Sequence, residues 1–429
     1  MTKENKNMSS VRKFAVRLSP VAALLSTCIG HASAASVATA SASSCAREEV
    51  FYNFASTDAG VSQYISMDTA GNIYAVEVNG GINETGRIIR VSPSGQMTVV
   101  HDFAALDDNP YGDFNADGAT LNAAPILASD GNFYGVAQFG GVNGEGTVYQ
   151  LTPAGNFTLL HTFAAADAAN QYVNADGERP VGALTDGGDG YLYGSTMEGG
   201  AYGSGVVFKI APDGSFDVLY NFGAPSGSEQ LGPVSAMVLA SDGNLYGANT
   251  YTTLFRITRA GVETDLYDLN WPGCSYACDN ISGFAAGPNG LIVGATNGAG
   301  ETAGSLFSLT TSGVVTTTYS FGPDASGQYS YGAIPMAGPI LAKDGNFYAT
   351  AYYDGAEGGG TFYELSLNGP PKVLFNFNAP QKRLKTNKTG AYPGGVVQSA
   401  NGSFYGVTQS GGTHGYGTLY KLVVNPSCV

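Results

Sequence analysis

Asp189-Gly190-Tyr191-Leu192-Tyr193-Gly194-Ser195-Thr196 and, just after it, Gly199-Gly200-Ala201-Tyr202-Gly203-Ser204-Gly205 decide the fold of this chain. The first stretch is a tight Asp-Gly turn feeding a short strand, and the second is a glycine-rich loop. The turn glycine recurs as Gly71, Gly131, Gly190, Gly243, Gly290, Gly345 and Gly402. Seven copies about 55 residues apart, built only of short strands and Gly-rich turns, predict propeller blades rather than a helical solenoid.

Working outward from the third copy, Val181–Thr185 reads as an inner strand and Tyr191–Thr196 as the second. Val206–Ile210 follows as the third, the Pro212-Asp213-Gly214 turn ends it, and Phe216–Phe222 is the outer strand. Such a four-stranded sheet cannot bury both faces alone, so its neighbours in the ring supply the core. The seventh copy stops after Gly417–Leu422 without an outer strand. The missing strand stands at the other end of the chain as Glu48-Glu49-Val50-Phe51-Tyr52-Asn53-Phe54, which repeats Val218–Phe222 and Val373–Phe377. The expectation is therefore an all-β, seven-bladed propeller of four-stranded antiparallel blades, its ring closed by residues 48–54. Closure brings Cys45 and Cys428 to one edge and predicts a disulfide between them. Cys274 and Cys278 then close a small loop; zinc is the rival, disfavoured because no histidine stands near them.

The pattern D-G-x-x-Y-G-x-T-x-x-G-G-x-x-G-x-G-T-[VL]-[FY] stands in the last copy as Asn401-Gly402-Ser403-Phe404-Tyr405-Gly406 through Gly417-Thr418-Leu419-Tyr420. It resembles the GloVer (Gloeo/Verruco) repeat of exported bacterial proteins. The fourth and fifth copies depart from it, since Asn249-Thr250-Tyr251 has lost the glycine pair. The resemblance implies an extracytoplasmic repeat protein and brings no catalytic residues with it.

Residues 1–34 read as a secretory signal: a basic start (Lys3, Lys6, Arg12, Lys13, Arg17), an apolar run from Val16 to Ile29, and Ala32-Ser33-Ala34 for cleavage. Residues 35–47 are then a short N-terminal segment and 48–429 a single propeller domain. Leu25-Ser26-Thr27-Cys28 offers a lesser alternative, a lipoprotein box with an ill-fitting threonine. The expected location is secreted or periplasmic. No hydrophobic tail follows the last copy, so we expect a soluble monomer that does not span the membrane. Removing residues 1–34 leaves 14 Lys and Arg against 33 Asp and Glu, a formal charge of −19. Such a surface excludes nucleic acid, which needs clustered cations, and disfavours polyanionic glycans.

Function falls on the face that carries the second-to-third strand loops and the crossovers between blades, because the other turns are too tight. Trp271 in the crossover near Cys274 would stack on a sugar ring, as would Tyr202, Tyr352, Tyr353 and Tyr416 in the loops. Against this, a loop Trp more often plugs a small loop core, and a Tyr is more often an ordinary loop residue. His414 is the histidine placed to act as a general base, whereas His101 and His161 occupy an aromatic slot of the outer strand and read as structural. Glu198 and Asp354, with Glu145, Glu301 and Glu357 in equivalent loops, are the carboxylates a glycosidase would pair. Asp113-Phe114-Asn115-Ala116-Asp117-Gly118 copies half a calcium loop, so Asp113, Asn115 and Asp117 are candidate Ca²⁺ ligands, but Ala124 fills the place of the bidentate Glu. The rival reading there is an Asx turn, and Asn174–Glu178 echoes it. Lys382–Lys388 concentrates four cations in one crossover. The sequence reading is thus a module that binds extracellular glycan or protein, with no cofactor required; a polysaccharide lyase or glycosidase is the alternative.

Overall fold

The computed structural model describes residues 45–428 except 57, 59–60, 108–113, 168–172, 224–231, 234, 250–252, 269–280 and 299–302. Seven four-stranded antiparallel sheets follow one another in the chain and form a β-propeller. The third is Glu178–Asp186, Leu192–Glu198, Val206–Ile210 and Phe216–Asn221, close to the strands read from the repeat. In the seventh, Ala391–Gln398, Phe404–Ser410 and Thr418–Val424 are joined by the N-terminal strand Ala46–Asn53, which pairs with Thr418–Val424 from Ala46↔Val424 to Asn53↔Thr418. That strand starts two residues earlier than its sequence match to the other outer strands.

Among the described residues the buried core divides into seven clusters, one at each seam between neighbouring blades. At the seam of blades 1 and 2, Tyr74, Val76, Ile88 and Phe103 meet Leu121, Phe133, Tyr149 and Leu151. At the seam of blades 7 and 1, Tyr405, Val407 and Leu419 meet Phe54, Ile65, Ile73 and Ile89. A propeller thus has no central oil drop; each blade buries its two faces against two neighbours.

The repeat signature has a structural cause at nearly every position. The aspartate of Asp-Gly-x-x-Tyr accepts the tyrosine hydroxyl: Tyr134 to Asp130 at 2.6 Å, Tyr193 to Asp189 at 2.7 Å, Tyr246 to Asp242 at 2.8 Å and Tyr348 to Asp344 at 2.6 Å. Burial, then the aspartate, pushes the Tyr134 and Tyr193 hydroxyls up to about 12, so they stay neutral donors. The glycine after the tyrosine is required by close approach. A Cβ on Gly135 or Gly406 would run into the Tyr149 or Tyr420 ring of the third strand, the aromatic of T-[VL]-[FY].

The crossovers are pinned to the glycine-pair loops by asparagine. Asn174 Nδ2 donates to the carbonyls of Ala164 and Gly177, both at 2.9 Å, and its Oδ1 accepts the amides of Gly177 and Gly200, both at 2.8 Å. Asn115 repeats this with Ala104, Gly118 and Gly141, and Asn387 with Asn378, Gly390 and Gly412. Each asparagine uses its full donor and acceptor capacity toward the backbone. Replacing Asn174 with alanine strands two amides and two carbonyls, so we expect a loss of about 2–4 kcal/mol, read as a lower denaturant midpoint at unchanged slope. A loss under about 0.5 kcal/mol would remove this role.

Candidate functional site

The asparagine pins place crossovers and second-to-third strand loops on one face, as the sequence reading required. Among the described residues, two cavities involve that face.

The first lies between blades 7 and 1. It measures about 310 Å³ and is lined by Asp58, Val61, Leu384, Lys385, Gln409, Ser410, His414, Gly415 and Tyr416. Gly415 sits 3.3 and 3.4 Å, at the position of a hypothetical Cβ, from the carbonyls of Leu384 and Lys385, so the blade 7 loop leans on the basic crossover. Two residues picked from sequence, His414 and Tyr416, therefore share a cavity with Lys385. His414 is exposed and Tyr416 is 50 % exposed. Asp58 at the floor is 6 % exposed and is held by Arg87 at 3.2 Å, by the Ala55 amide at 2.8 Å and by the Tyr52 hydroxyl at 3.4 Å. Burial and Asp58 push the Tyr52 hydroxyl up to about 12. Arg87 also binds the fully buried Glu77 at 2.7 Å. This ion pair stands where blade 7 has the Thr408–Thr418 hydrogen bond, and it braces the floor with charge instead of hydroxyls.

The second cavity is the axial channel, about 450 Å³, with walls from residues 64–65, 122–123, 181–183, 235–237, 281–284, 337–340 and 395–397, so that all seven blades contribute. Inner strands start on the loop face, and Asn122, Gln138 and Met197 stand at that mouth.

The remaining candidates scatter. Tyr352, Tyr353 and Tyr392 cluster at blades 6 and 7, with ring centroids 4.6 to 5.3 Å apart, and burial raises the pKa of each hydroxyl. They pack mainly on one another and are only partly exposed. Tyr202 is 44 % exposed on the blade 3 loop, away from both cavities. Glu198 is tied to Arg179 at 2.8 Å, and Asp354 occupies a left-handed turn (φ +61°) in blade 6. Neither carboxylate lines either of these two cavities, and the cavities do not bring the two together.

In the calcium-like loop, Asn115 is spent on the backbone, as above. Asp117 accepts the Ala104 amide at 2.9 Å and pairs with His101 Nε2 at 2.9 Å. Asp176 and His161 repeat the arrangement at 2.8 Å, and the two imidazoles lie flat on Phe157 and Phe216 at 3.8 and 3.9 Å. Both histidines thus serve the outer strand. Among the described residues no group of three or more His, Cys, Asp or Glu is arranged to hold a metal ion. Trp271, Cys274, Cys278, Asp113 and Glu301 lie outside the described residues, as does Cys28.

Sequence reading missed the grouping of Glu145, Glu178, Glu198 and Arg179 between blades 2 and 3. Glu178 is 2 % exposed and faces Glu198 across the strand pair. The only signal was its place at the end of the Asn174–Glu178 echo. It also missed Asp58 and Gln409 as neighbours of His414, because the match of residues 48–54 to the other outer strands stops short of Asp58 and gives no side-chain directions.

Cys45 and Cys428 form a disulfide with Cα atoms 5.7 Å apart. Among the described residues no helix is long and apolar enough to cross a membrane.

Among solved structures, an oligogalacturonate lyase in complex with manganese is similar at 10 % identity and a TM-score of 0.52, over 87 % of this chain and 92 % of that one. The polysaccharide lyase Uly1 is similar at 13 % identity and 0.47, over 85 % and 90 %, and a Dyadobacter fermentans protein of unknown function at 13 % and 0.42, over 88 % and 99 %. At such identity the likeness concerns the fold alone. No curated protein matches the sequence significantly. The Gloeobacter/Verrucomicrobia repeat matches residues 124–337 and 247–427, leaving out the first blade with its Glu77–Arg87 pair. Carrying that repeat over more than half its length, the chain belongs to the Gloeobacter/Verrucomicrobia repeat family.

Proposed function

We propose that the protein is an exported binding module that takes extracellular glycan in the cavity between blades 7 and 1. One observation carries this reading: His414, Tyr416, Lys385 and Gln409 surround a space of about 310 Å³, open on the loop face and braced below by the Asp58–Arg87 pair. An exposed tyrosine ring offers a platform for a sugar face, and the polar groups around it offer directional partners for hydroxyls. A disulfide at the chain's edge is in keeping with an oxidising compartment. The signal-like residues 1–34 point the same way.

The test is a panel of neutral and acidic polysaccharides against the purified protein, with thermal shift and product release both read. A ligand at a hundred times its Kd stabilises by about 2.7 kcal/mol, and Tyr416→Ala should weaken it about tenfold. Binding indifferent to both Tyr416→Ala and His414→Ala would refute the site. A second reading has one observation in its favour: Lys385 stands beside His414 and Tyr416, as β-elimination on a uronate would need a cation at the carboxylate and a base at the adjacent C–H. Unsaturated product that vanishes in His414→Ala would decide for the lyase.

A further inference from the structure

The axial channel differs chemically from the rest of the molecule. The chain carries a formal charge of −15, yet among the described residues no Asp, Glu, Lys, Arg or His lines the channel. Its polar groups are neutral. Tyr64 of blade 1 reaches across and donates its hydroxyl to the carbonyl of Ser282 in blade 5 at 3.3 Å. Ser235 in blade 4 lines the same space, is 7 % exposed, and its Oγ has no hydrogen-bond partner among the described residues. A buried hydroxyl left unpaired costs about 1–3 kcal/mol, which a ligand would repay. At the mouth, Asn122 Nδ2 donates to Gln138 Oε1 at 2.5 Å.

The backbone adds to this. The inner strands of blades 1, 3, 5 and 7 each break register against the second strand, between Val61 and Ile65, Val181 and Thr185, Ile281 and Gly283, and Pro393 and Val396. The residues thrown out of the ladder include Tyr64, Gly182, Ser282 and Gly395, all of which line the channel. The bulges thus place residues that have left the regular ladder in four blades along the channel wall. Met197, Met237 and Phe284 supply apolar surface between them.

The geometry points to a second ligand site in this channel, for an uncharged polyhydroxylated ring of one or two sugar units, entered past Asn122 and Gln138. Peptide groups and hydroxyls satisfy hydroxyls in both donor and acceptor sense. Methionine and phenylalanine suit the C–H face of a pyranose, and a volume near 450 Å³ suits that size. A carboxylated sugar would be stripped of water with no cation to meet it, so the channel should discriminate against uronates. This site stands independently of the cavity between blades 7 and 1.

Calorimetric titration of the full chain with glucose, galactose, mannose, maltose, cellobiose and glucuronate tests it. We expect at least one of the neutral sugars to bind, and glucuronate to bind at least about tenfold more weakly. Tyr64→Phe should weaken the neutral sugar about threefold or more by removing one hydroxyl. Asn122→Trp, at an exposed position, should close the mouth and abolish binding. Tyr416→Ala, in the other cavity, should leave in place the binding event that Asn122→Trp abolishes, whatever it removes from the blade 7–1 cavity. Binding lost in Tyr416→Ala but kept in Asn122→Trp would assign the sugar to the blade 7–1 cavity and overturn the channel site. Equal affinity for glucuronate, or no neutral sugar bound, would overturn it too. Melting curves of Tyr64→Phe and Asn122→Trp that match the parent exclude misfolding as the cause of a loss.

Discussion

Reduction of the Cys45–Cys428 disulfide, or its replacement by two serines, should give the largest loss of stability available from a single covalent change in this chain. The bond joins residues 383 apart and thereby fixes the strand Ala46–Asn53 to the end of Thr418–Val424, its only partner within the sheet. In the chain-entropy account a loop of that length contributes on the order of 6 kcal/mol by restricting the unfolded ensemble. The melting entropy of a domain this large is correspondingly big, so the expected fall in Tm is only about 5–8 °C. The kinetic consequence is sharper. Without the bond, the outer strand of blade 7 is held by one ladder, and its release uncovers the seam where Phe54 packs against Val407 and Leu419. Limited proteolysis should therefore cut the reduced protein first near residues 46–60 and leave the oxidised protein intact there. If reduction shifted Tm by less than about 1 °C and left that segment resistant, the bond would be an ornament of the fold and not its clasp.

The fold was legible because propeller blades repeat their own causes. Each Asp-Gly-x-x-Tyr-Gly carries a turn, a buried tyrosine whose hydroxyl the aspartate takes, and a glycine that admits the next strand's aromatic ring. These are local relations, visible at fixed offsets in one copy and confirmed by the next. The missing outer strand was visible for the same reason: an incomplete seventh copy and an orphan copy of its last strand sit at opposite ends. The two-residue inner strands of blades 2, 4 and 6 were not legible. Their length depends on how tightly neighbouring blades crowd the axis, as where Gly182 abuts Ala236 or Gly283 abuts Gly338.

The candidate site was half legible. His414 and Tyr416 stood out because they are a histidine placed to act as a base and an aromatic ring in a glycine-rich loop of the functional face. Lys385 was noticed only as part of a basic run. Its place beside them depends on how the crossover folds back, with Lys385 donating its amide to the Gln381 carbonyl at 2.7 Å and taking a left-handed conformation (φ +55°). The calcium-like spacing at residues 113–118 has two physical readings. Asn and Asp at those offsets pin a crossover and seat a histidine as readily as they ligate a cation, and spacing alone does not separate the two.

Acidification from pH 9 to pH 5 should stabilise the protein through carboxyls that folding buries. Burial, then a hydrogen bond and repulsion from Glu145 and the charge of Glu198, push the Glu178 carboxyl up to about 8, with Arg179 opposing. Burial alone pushes Glu48 up to about 9, and its Oε1 has no hydrogen-bond partner among the described residues. Glu263 is raised as well, by burial and by Asp265, although the Tyr220 hydroxyl donates to it at 3.3 Å. Their unfolded values lie near 4.5. A carboxyl whose folded pKa exceeds its unfolded one favours the protonated folded state. Its contribution is complete below the unfolded value and is lost as pH climbs through the folded one. The window of loss is therefore about pH 5 to 9, and the deeply buried Glu178 alone accounts for on the order of 3 kcal/mol across it. Below pH 4 the trend should reverse, because Asp130, Asp189 and Asp242, held low by hydrogen bonds to their turns and tyrosines, begin to protonate. Melting curves at half-unit steps read the profile. Glu178→Gln, which keeps the shape and removes the titration, should raise Tm at pH 8 and flatten the slope between pH 5 and 8. A parent Tm that rises with pH across that interval, or a Glu178→Gln profile parallel to the parent's, would overturn this role of the carboxyl between blades 2 and 3; a parallel profile that still falls with pH would leave general charge repulsion as its source.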